Sequence, residues 1–277
     1  DIDSNAAMAN EVIGNNILKE YPDSAKWEYK AVHTLKEALT DADFVIISIL
    51  PGTFDEMEAD VTLPQEYGIY QPVGDTTGVG GIIRALRTVP MFKEIALGIK
   101  EYSPNAYVIN YTNPMSVCIK ALHSVFPEIK ALGCCHGVFG AQIMLAAALK
   151  KYTGIEIGIH DMHVEVCGIN HFTWITKAVY QGMDILPMYE RLVNEHKSGY
   201  SECKEVDWMS KNIIFESANL VQFDMFDKFG AMPAIGDRHL AEFCPGSWYL
   251  KDLEQIADYK FHLTPVKWRK DDLKDRL

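Results

Sequence analysis

Cysteine is scarce in this chain of 277 residues, which contains six. The cysteines are irregularly spaced, and most of them lie in apolar segments. Such usage is typical of a reducing compartment, where a thiol is a small buried hydrophobe or a metal ligand and rarely half of a disulfide. The sequence therefore predicts no disulfides.

An excess of positive charge and a long apolar run are also missing. The formal net charge of −12 opposes binding to nucleic acid and to anionic lipid. No apolar run reaches the roughly 18 residues that a membrane-spanning helix needs, and no basic segment leads into an apolar one at the start. We therefore expect a cytoplasmic protein that binds small molecules, with no nucleic-acid and no membrane partner.

The remaining composition is that of an ordinary globular protein, with 48% hydrophobic and 23% charged residues. The length fits one large domain or two smaller ones. Strand-like and helix-like segments alternate in the first half, as in doubly wound α/β folds. We therefore predict an α/β protein with a Rossmann-like parallel sheet.

The first helix-like segment is residues 4–21, and Ser4 is its predicted N-cap. The glycine-rich loop expected of such a sheet, Gly-x-Gly-x-x-Gly, does not precede it. We therefore expect the first strand and its glycine loop to be missing from this sequence. Asp1 would then be the acidic residue that ends the second strand and accepts hydrogen bonds from the adenosine ribose. The alternative, that Asp1 is an ordinary terminal residue, stays open.

Three short apolar segments are predicted to be buried parallel strands, namely residues 42–50, 106–110 and 129–133. The first is a continuous β-branched and aromatic run, which indicates burial on both faces of the sheet. The loop over residues 53–77 is long and rich in acidic residues, and loops of this length tend to be functional. A helix is predicted to resume at Gly78.

Polar residues follow these strands. Asn110 ends the second of them, and the next helix is predicted to have Asn113 as its N-cap and Pro114 at its first position. Ligands of open α/β sheets bind at the carboxyl ends of the strands. Asn113 is therefore a candidate substrate contact, and Ser48 and Asn110 are candidate cofactor contacts together with Asp1.

Cys134, Cys135 and His136 follow the third strand, and a helix is predicted over residues 138–152. The next strand, residues 162–168, leads to His171. Cys135 and His171 are too far apart in the chain for a zinc finger, but a thiol and an imidazole at neighbouring strand ends leave coordination positions open for substrate. Alternatively, each is an ordinary packed side chain.

Taken in order, these residues resemble glycoside hydrolase family 4, whose members depend on NAD and a divalent metal and do not use the two-carboxylate mechanism of other glycosidases. The resemblance covers nearly the whole chain, and the order of the motifs is more specific than any one of them. The matching segments are Asp1-Ile2-Asp3, Arg84-Ala85-Leu86-Arg87-Thr88, Asn113-Pro114, Leu132-Gly133-Cys134-Cys135, Asn170-His171 and Gly236-Asp237-Arg238-His239.

The resemblance implies a role for each matching residue. Cys135 and His171 would bind Mn²⁺. Asp237 would be the base that removes a proton from the sugar, and His136 would be a second catalytic residue at the position that varies with substrate type. The implied substrate contacts are Asn113, Asn170, Arg238 and His239.

The resemblance also implies a mechanism and an organisation. Hydride transfer from C3 of the sugar to NAD⁺ makes the proton on C2 acidic. The metal then assists elimination of the leaving group, water adds, and the hydride returns to C3, so that the net reaction is hydrolysis.

The Cys135-His136-Gly137 sequence is similar to members that act on unphosphorylated α-glucosides, α-galactosides or α-uronides. Residues 1–137 would form a truncated NAD-binding domain, and residues 138–277 a C-terminally incomplete α/β domain that binds substrate and metal. A homo-oligomer, dimer or tetramer, is expected.

Two other functions stay open on the sequence alone. A lactate or malate type 2-hydroxy-acid dehydrogenase shares the doubly wound fold, the Asn-Pro turn and a pair like His136-Gly137, but it needs no metal thiolate. The other is a non-catalytic nucleotide-binding or sugar-binding protein, because a sheet without its glycine loop can bind NAD weakly or not at all.

The assignment of the metal thiolate gives the first testable prediction. Replacing Cys135 by Ser should reduce Mn²⁺ affinity far more than replacing Cys134 by Ser, because only the first thiol is expected to bind the ion. Titration of each variant with Mn²⁺ under reducing conditions measures the difference. A larger loss for Cys134→Ser would reassign the ligand.

Overall fold

Two β-sheets organise the part of the chain that the computed structural model describes, residues 2–21, 26–200 and 216–276. The first sheet is parallel, in the order β1-β2-β3, and the second is antiparallel, in the order β4-β5-β6, with β7 also paired to β5. The strands are β1 (Phe44–Ile47), β2 (Tyr107–Asn110), β3 (Lys130–Gly133), β4 (His163–Ile169), β5 (Phe172–Tyr180), β6 (Met183–Asp184) and β7 (Met232–Pro233).

Helices connect these strands and complete the second half of the chain. They are α1 (Ser4–Lys19), α2 (Leu35–Leu39), α3 (Phe54–Thr62), α4 (Gly78–Tyr102), α5 (Met115–Val125), α6 (Gly137–Thr153), α7 (Leu186–Glu195), α8 (Leu220–Phe229), α9 (Asp237–Phe243), α10 (Gly246–Tyr249), α11 (Leu253–Asp258) and α12 (Val266–Arg276). A 3₁₀ helix, Leu63–Tyr67, follows α3. None of the described helices has both the length and the apolar character needed to cross a membrane.

The register of the parallel sheet aligns the carboxyl ends of its strands. Ile47 pairs with Asn110, and Asn110 pairs with Gly133, so the three strands end at the same level. The alternating strands and helices predicted for this half are confirmed. The residues that follow each strand therefore start from one edge of the sheet, where ligands of open α/β sheets bind.

One face of the parallel sheet is packed against helices, and its core includes fully buried Phe92 and Leu122 together with Val108. On the other face Phe44 and Ile46 are each 66% exposed. The prediction that β1 is buried on both faces is therefore wrong for the described residues. An apolar run alone does not show which of its faces a helix will cover.

Residues 53–77 contain helices rather than the long loop that we predicted. Thr53 accepts a hydrogen bond from the first turn of α3, and the Glu56 carboxylate accepts one from the Thr53 backbone N–H, at 2.6 Å. This reciprocal pair is a capping box, which starts a helix by satisfying its free N–H groups. The spacing Thr-x-x-Glu is visible in the sequence and could have indicated the helix.

Two predicted helix caps are wrong. The side chain of Asp3, not Ser4, accepts hydrogen bonds from the first turn of α1. Helix α5 begins at Met115 with Pro114 in the N-cap position, and the peptide bond before Pro114 is cis. Asn113 therefore lies outside the helix, and its side chain makes no cap.

The second sheet packs against α6, α7 and α8. Its core contains side chains from α6 (Leu145 and Leu149), from β5 (Ile175), from α7 (Leu192) and from α8 (Phe223), all nearly or fully buried. A neighbouring cluster joins α8 to α9, α10 and α11. The predicted domain boundary between residues 137 and 138, just inside the start of α6, stays a prediction.

Helix α6 offers a matched pair of substitutions that tests this packing. Leu145 is 0% exposed, whereas Ile143 on the same helix is 48% exposed. Leu145→Ala should lower the free energy of unfolding by about 2 to 5 kcal/mol because it leaves a cavity in the core. Ile143→Ala should change it by less than about 0.5 kcal/mol. Urea unfolding followed by circular dichroism measures both; equal effects would contradict the packing.

Candidate functional site

Asn110 shapes the edge at which the parallel strands end. Its side-chain amide donates to the Thr112 carbonyl at 2.9 Å, and its amide oxygen accepts from the Thr112 N–H at 3.1 Å. The Thr112 hydroxyl in turn accepts from the Ile49 N–H at 2.9 Å, which joins the ends of β1 and β2. Asn110 is fully buried, and Ser48 beside it is exposed. Cofactor contacts by both residues stay predictions, and Asp1 lies outside the described residues.

His171 lies at the tip of a tight hairpin. Strands β4 and β5 pair from Ile169 with Phe172, so Asn170 and His171 form the connecting turn. His171 has a φ of 63°, in the left-handed region that few non-glycine residues adopt. Gly168 has a φ of 116°, and a Cβ there would lie 2.5 Å from the Phe172 carbonyl oxygen. The backbone of this hairpin therefore orients the imidazole.

The His171 ring is held from the segment that precedes α4. Its Nδ1 atom lies 3.0 Å from the Thr76 hydroxyl oxygen, and that hydroxyl donates to the Asp75 carboxylate at 2.8 Å. We did not single out Asp75 or Thr76 from the sequence. The acid-rich segment 53–77 was the available signal, since both residues lie at its end.

Three histidines that were named as candidates lie close together. The rings of His171 and His239 are 4.2 Å apart between centroids, in an edge-on arrangement. Burial is the main cause that lowers the pKa of His171 and that lowers the pKa of His239 to about 3, and the nearby His136 contributes to both shifts. Both buried rings are therefore neutral near pH 7, the form in which an imidazole can bind a metal.

A cavity of about 640 Å³ is lined in part by His136 and His239. Its lining includes residues of α12, residues that follow the ends of β2 and β3, and the start of α9. The predicted site residues that line it are Asn113, His136, Asp237, Arg238 and His239, and Asp75 lines it with them. The structure therefore brings together, around one cavity, residues from both halves of the chain.

Asp237 combines a structural contact with an unusual environment. It is fully buried at the first position of α9, and its Oδ1 atom accepts from the Gln222 N–H at 2.9 Å, in the first turn of α8. The preceding Asn219 makes no side-chain cap, so Asp237 supplies an acceptor to that helix end. Burial raises the pKa of Asp237 to about 6, which strengthens it as a base. Its catalytic role stays a prediction.

Two arginines support the wall of the cavity. Arg238 donates to the carbonyl oxygens of Pro72 and His262, the latter at 3.0 Å, and to the Thr264 hydroxyl at 3.2 Å. Arg84 donates to the Asn113 carbonyl oxygen at 3.3 Å. Arg238 therefore connects segments far apart in the sequence, and a direct contact with substrate stays a prediction for it.

The two adjacent cysteines differ in exposure. Cys135 is exposed, and its Sγ atom accepts from the Gly137 N–H at 3.4 Å, at the start of α6. Cys134 is part-buried, and its backbone N–H continues the sheet by donating to Asn110. Within the described ranges no three His, Cys, Asp or Glu side chains are grouped to hold a metal, and the predicted set has two.

Glu242 on α9 anchors the segment that carries Asp75 and Thr76. Its Oε1 atom accepts from the N–H groups of Val73 and Gly74, each at 2.7 Å. Burial, with a smaller contribution from the nearby Asp75, raises the pKa of Glu242 to about 7. The contact of Glu242 with residues so distant in the sequence has no local signal.

The raised pKa of Glu242 predicts how stability depends on pH. Between the ordinary carboxyl pKa of 4.5 and about 7, the folded protein keeps a proton that the unfolded chain has lost. The contribution of Glu242 to stability should therefore fall as the pH rises through this window, by a few kcal/mol at most. Glu242→Gln keeps the acceptor oxygen and should reduce the change in the free energy of unfolding between pH 4.5 and 7.5. Urea unfolding at both pH values measures this change. An unchanged pH dependence in the variant would assign the dependence to other groups.

Models of one family match both halves of the chain. "Family 4 glycosyl hydrolase" matches residues 1–151, and "Family 4 glycosyl hydrolase C-terminal domain" matches residues 166–275. The chain is 56% identical over 279 residues to an alpha-galacturonidase of Lachnoclostridium phytofermentans, covering 100% of this chain and 59% of the relative. It is 54% identical over 274 residues to an alpha-galacturonidase of Bacillus subtilis, covering 98% of this chain and 59% of the relative. It thus spans about three fifths of these relatives.

Solved structures agree with this match. The fold is similar to that of a putative glucosidase, lplD, from Bacillus subtilis, with a TM-score of 0.90 and 53% identity over 99% of this chain and 61% of that one. A 6-phospho-alpha-glucosidase from gut microorganisms, in complex with NAD and Mn²⁺, shares the fold with a TM-score of 0.74 and 22% identity. The match covers 99% of this chain and 57% of that one. The chain belongs to glycoside hydrolase family 4.

Proposed function

We propose that the protein hydrolyses an α-linked galacturonide by the NAD-dependent and Mn²⁺-dependent chemistry of its family. The observation that carries the proposal is the single cavity bordered by Asn113, His136, Asp237 and His239, with His171 packed against His239. The sequence left α-glucosides, α-galactosides and α-uronides open. The relatives that are 54% to 56% identical over nearly all of this chain are α-galacturonidases, which favours the uronide.

The proposed metal site consists of Cys135 and His171. A thiolate and a neutral imidazole form a donor set that suits a borderline divalent ion, and two protein ligands leave positions open for substrate oxygens. The exposed thiol of Cys135 and the neutral ring of His171 fit this role. When bound, Mn²⁺ would act as a Lewis acid on the sugar oxygens.

The proposed cofactor site lies along the edge where β1, β2 and β3 end. Ser48 is exposed at that edge, and Asn110 builds the turn beside it. A family relative of known structure was solved in complex with NAD, which supports the same cofactor here. When bound, NAD⁺ would take up a hydride from sugar C3 and later return it.

The residues of this chain would move protons and orient the sugar. Asp237 would remove the C2 proton, and its buried carboxylate, with a pKa near 6, is a better base than an exposed one. His136 borders the same cavity and would be the second proton-transfer group. Asn113, Asn170 and His239 would hydrogen-bond sugar hydroxyls.

Asn170 has one property that suits contact with a ligand. Its Oδ1 atom is buried and accepts no hydrogen bond from the described residues. A buried acceptor without a partner costs free energy, which a substrate hydroxyl would recover. Arg238 would act by holding the cavity wall. That the enzyme is cytoplasmic and homo-oligomeric stays a prediction.

An activity screen tests the proposed function. The protein that carries this chain, supplied with NAD⁺, Mn²⁺ and reductant, should release nitrophenol from 4-nitrophenyl α-galacturonide. Activity on the α-galactoside, the α-glucoside and 6-phosphorylated glycosides should be at least about tenfold lower in kcat/KM, because each lacks the substrate carboxylate. Omission of either cofactor should abolish turnover.

The screen also separates the alternatives. A 2-hydroxy-acid dehydrogenase would reduce NAD⁺ with lactate or malate, and a chelator would not affect it. A binding protein would show no turnover on any glycoside. Either result, obtained with folded protein, would overturn the proposed hydrolysis.

A further inference from the structure

We propose that Asp75 and Thr76 fix His171 in the tautomer that carries its proton on Nδ1, so that Nε2 is the metal-binding nitrogen. The two are thus positioning residues that act through His171. This inference rests on the proposed function for the metal, but the protonation of the ring can be observed without it.

The direction of the hydrogen bonds follows from counting hydrogens. A threonine hydroxyl has one hydrogen, and an ionised carboxylate can only accept. The Thr76 hydroxyl lies 2.8 Å from an Asp75 carboxylate oxygen and 3.0 Å from His171 Nδ1. The single hydrogen therefore points to Asp75, and the hydroxyl oxygen can only accept from His171. Nδ1 must carry the ring proton.

A neutral imidazole has one nitrogen with a proton and one with a free lone pair. With the proton on Nδ1, the lone pair is on Nε2. Metal-binding histidines in proteins commonly donate their other ring N–H to a carboxylate or another acceptor, which sets both the tautomer and the ring orientation. Here a hydroxyl stands between the imidazole and the carboxylate and passes the polarisation from one to the other.

The segment that carries Asp75 and Thr76 is braced on both sides. Glu242 accepts from Val73 N–H and Gly74 N–H, each at 2.7 Å. Gly74 has a φ of 71°, and a Cβ there would lie 2.4 Å from a Val61 methyl group. Only glycine therefore fits at this position, where the segment passes close to α3.

The imidazole is confined as well. The His171 side chain is 4% exposed, its backbone is held in the hairpin turn, and its other side meets the His239 ring. The ring cannot turn without losing the Thr76 contact. Both the donor and the acceptor of this hydrogen bond are thus placed before any ligand binds, which reduces the ordering cost of binding.

Nitrogen NMR of the metal-free protein, labelled with ¹⁵N at histidine, tests the tautomer directly. The two ring nitrogens of a neutral histidine give distinct chemical shifts, depending on which one carries the proton. His171, identified by loss of its signals in His171→Gln, should show a protonated Nδ1 and an unprotonated Nε2. A proton on Nε2 in the wild type would overturn the proposal, whatever the enzyme hydrolyses.

Substitutions at Thr76 test the cause. Thr76→Val removes the hydroxyl at nearly constant shape, so the Nδ1–H preference should be lost and Mn²⁺ affinity should fall by about 10-fold to 100-fold. Thr76→Ser keeps the hydroxyl and should restore both. Thr173→Val is the matched control. The Thr173 hydroxyl lies in the same hairpin and donates to the Ile169 carbonyl oxygen at 2.9 Å, so it takes no part in the proposed hydrogen bonds between Asp75, Thr76 and His171.

The outcomes separate a positioning role from a structural one. Loss of the tautomer and of affinity in Thr76→Val alone supports the proposal. The proposal is overturned if Thr76→Val keeps both, or if Thr173→Val causes the same loss. If Thr76→Val does not fold, the tautomer of the wild type and the result for Thr76→Ser still test the proposal. Failure of the wild type to bind Mn²⁺ would overturn the metal role as well as the proposed function, even with the predicted tautomer present.

Discussion

The contacts made by residues 72–77 are the constraint on which the site depends. This short segment of the first half is held by side chains of the second half. Arg238 and Thr264 both donate to the Pro72 carbonyl oxygen, and Glu242 accepts from the two N–H groups that follow. The segment presents Asp75 and Thr76 to the histidines. These bonds help to fix the strand ends relative to the hairpin.

Charge balance explains why so many titratable groups can share this region. Asp75 lies near Arg84, Arg238 and Arg269, and near His171 and His239. An isolated buried charge is costly, whereas a carboxylate among several cations and hydrogen-bond donors is stabilised. Clusters of groups with shifted pKa values beside a cavity are typical of functional sites, although structural ion-pair networks also shift pKa values. The contacts of Asp75 serve both purposes, because they bind the halves together and set the state of His171.

Local patterns predicted much of the fold, and they failed where packing decided. The three parallel strands and α6 were found from apolar runs and helix signals. The burial of β1 was wrong, because a run of apolar residues does not say which face is covered. The cap at Asn113 was wrong, because the helix begins two residues later, at Met115. In each case the signal was local and the outcome depended on neighbours distant in sequence.

The amino-acid sequence by itself determined the candidate residues, because Cys135, His136, Asn170, His171 and Asp237 belong to ordered motifs that resemble those of glycoside hydrolase family 4. Only the tertiary structure decided how those groups are held. Thr76 and His171 are 95 positions apart. Glu242 meets Val73 across 169 positions. No periodicity or spacing encodes such pairs, since they form only when segments distant in the sequence meet in the folded chain.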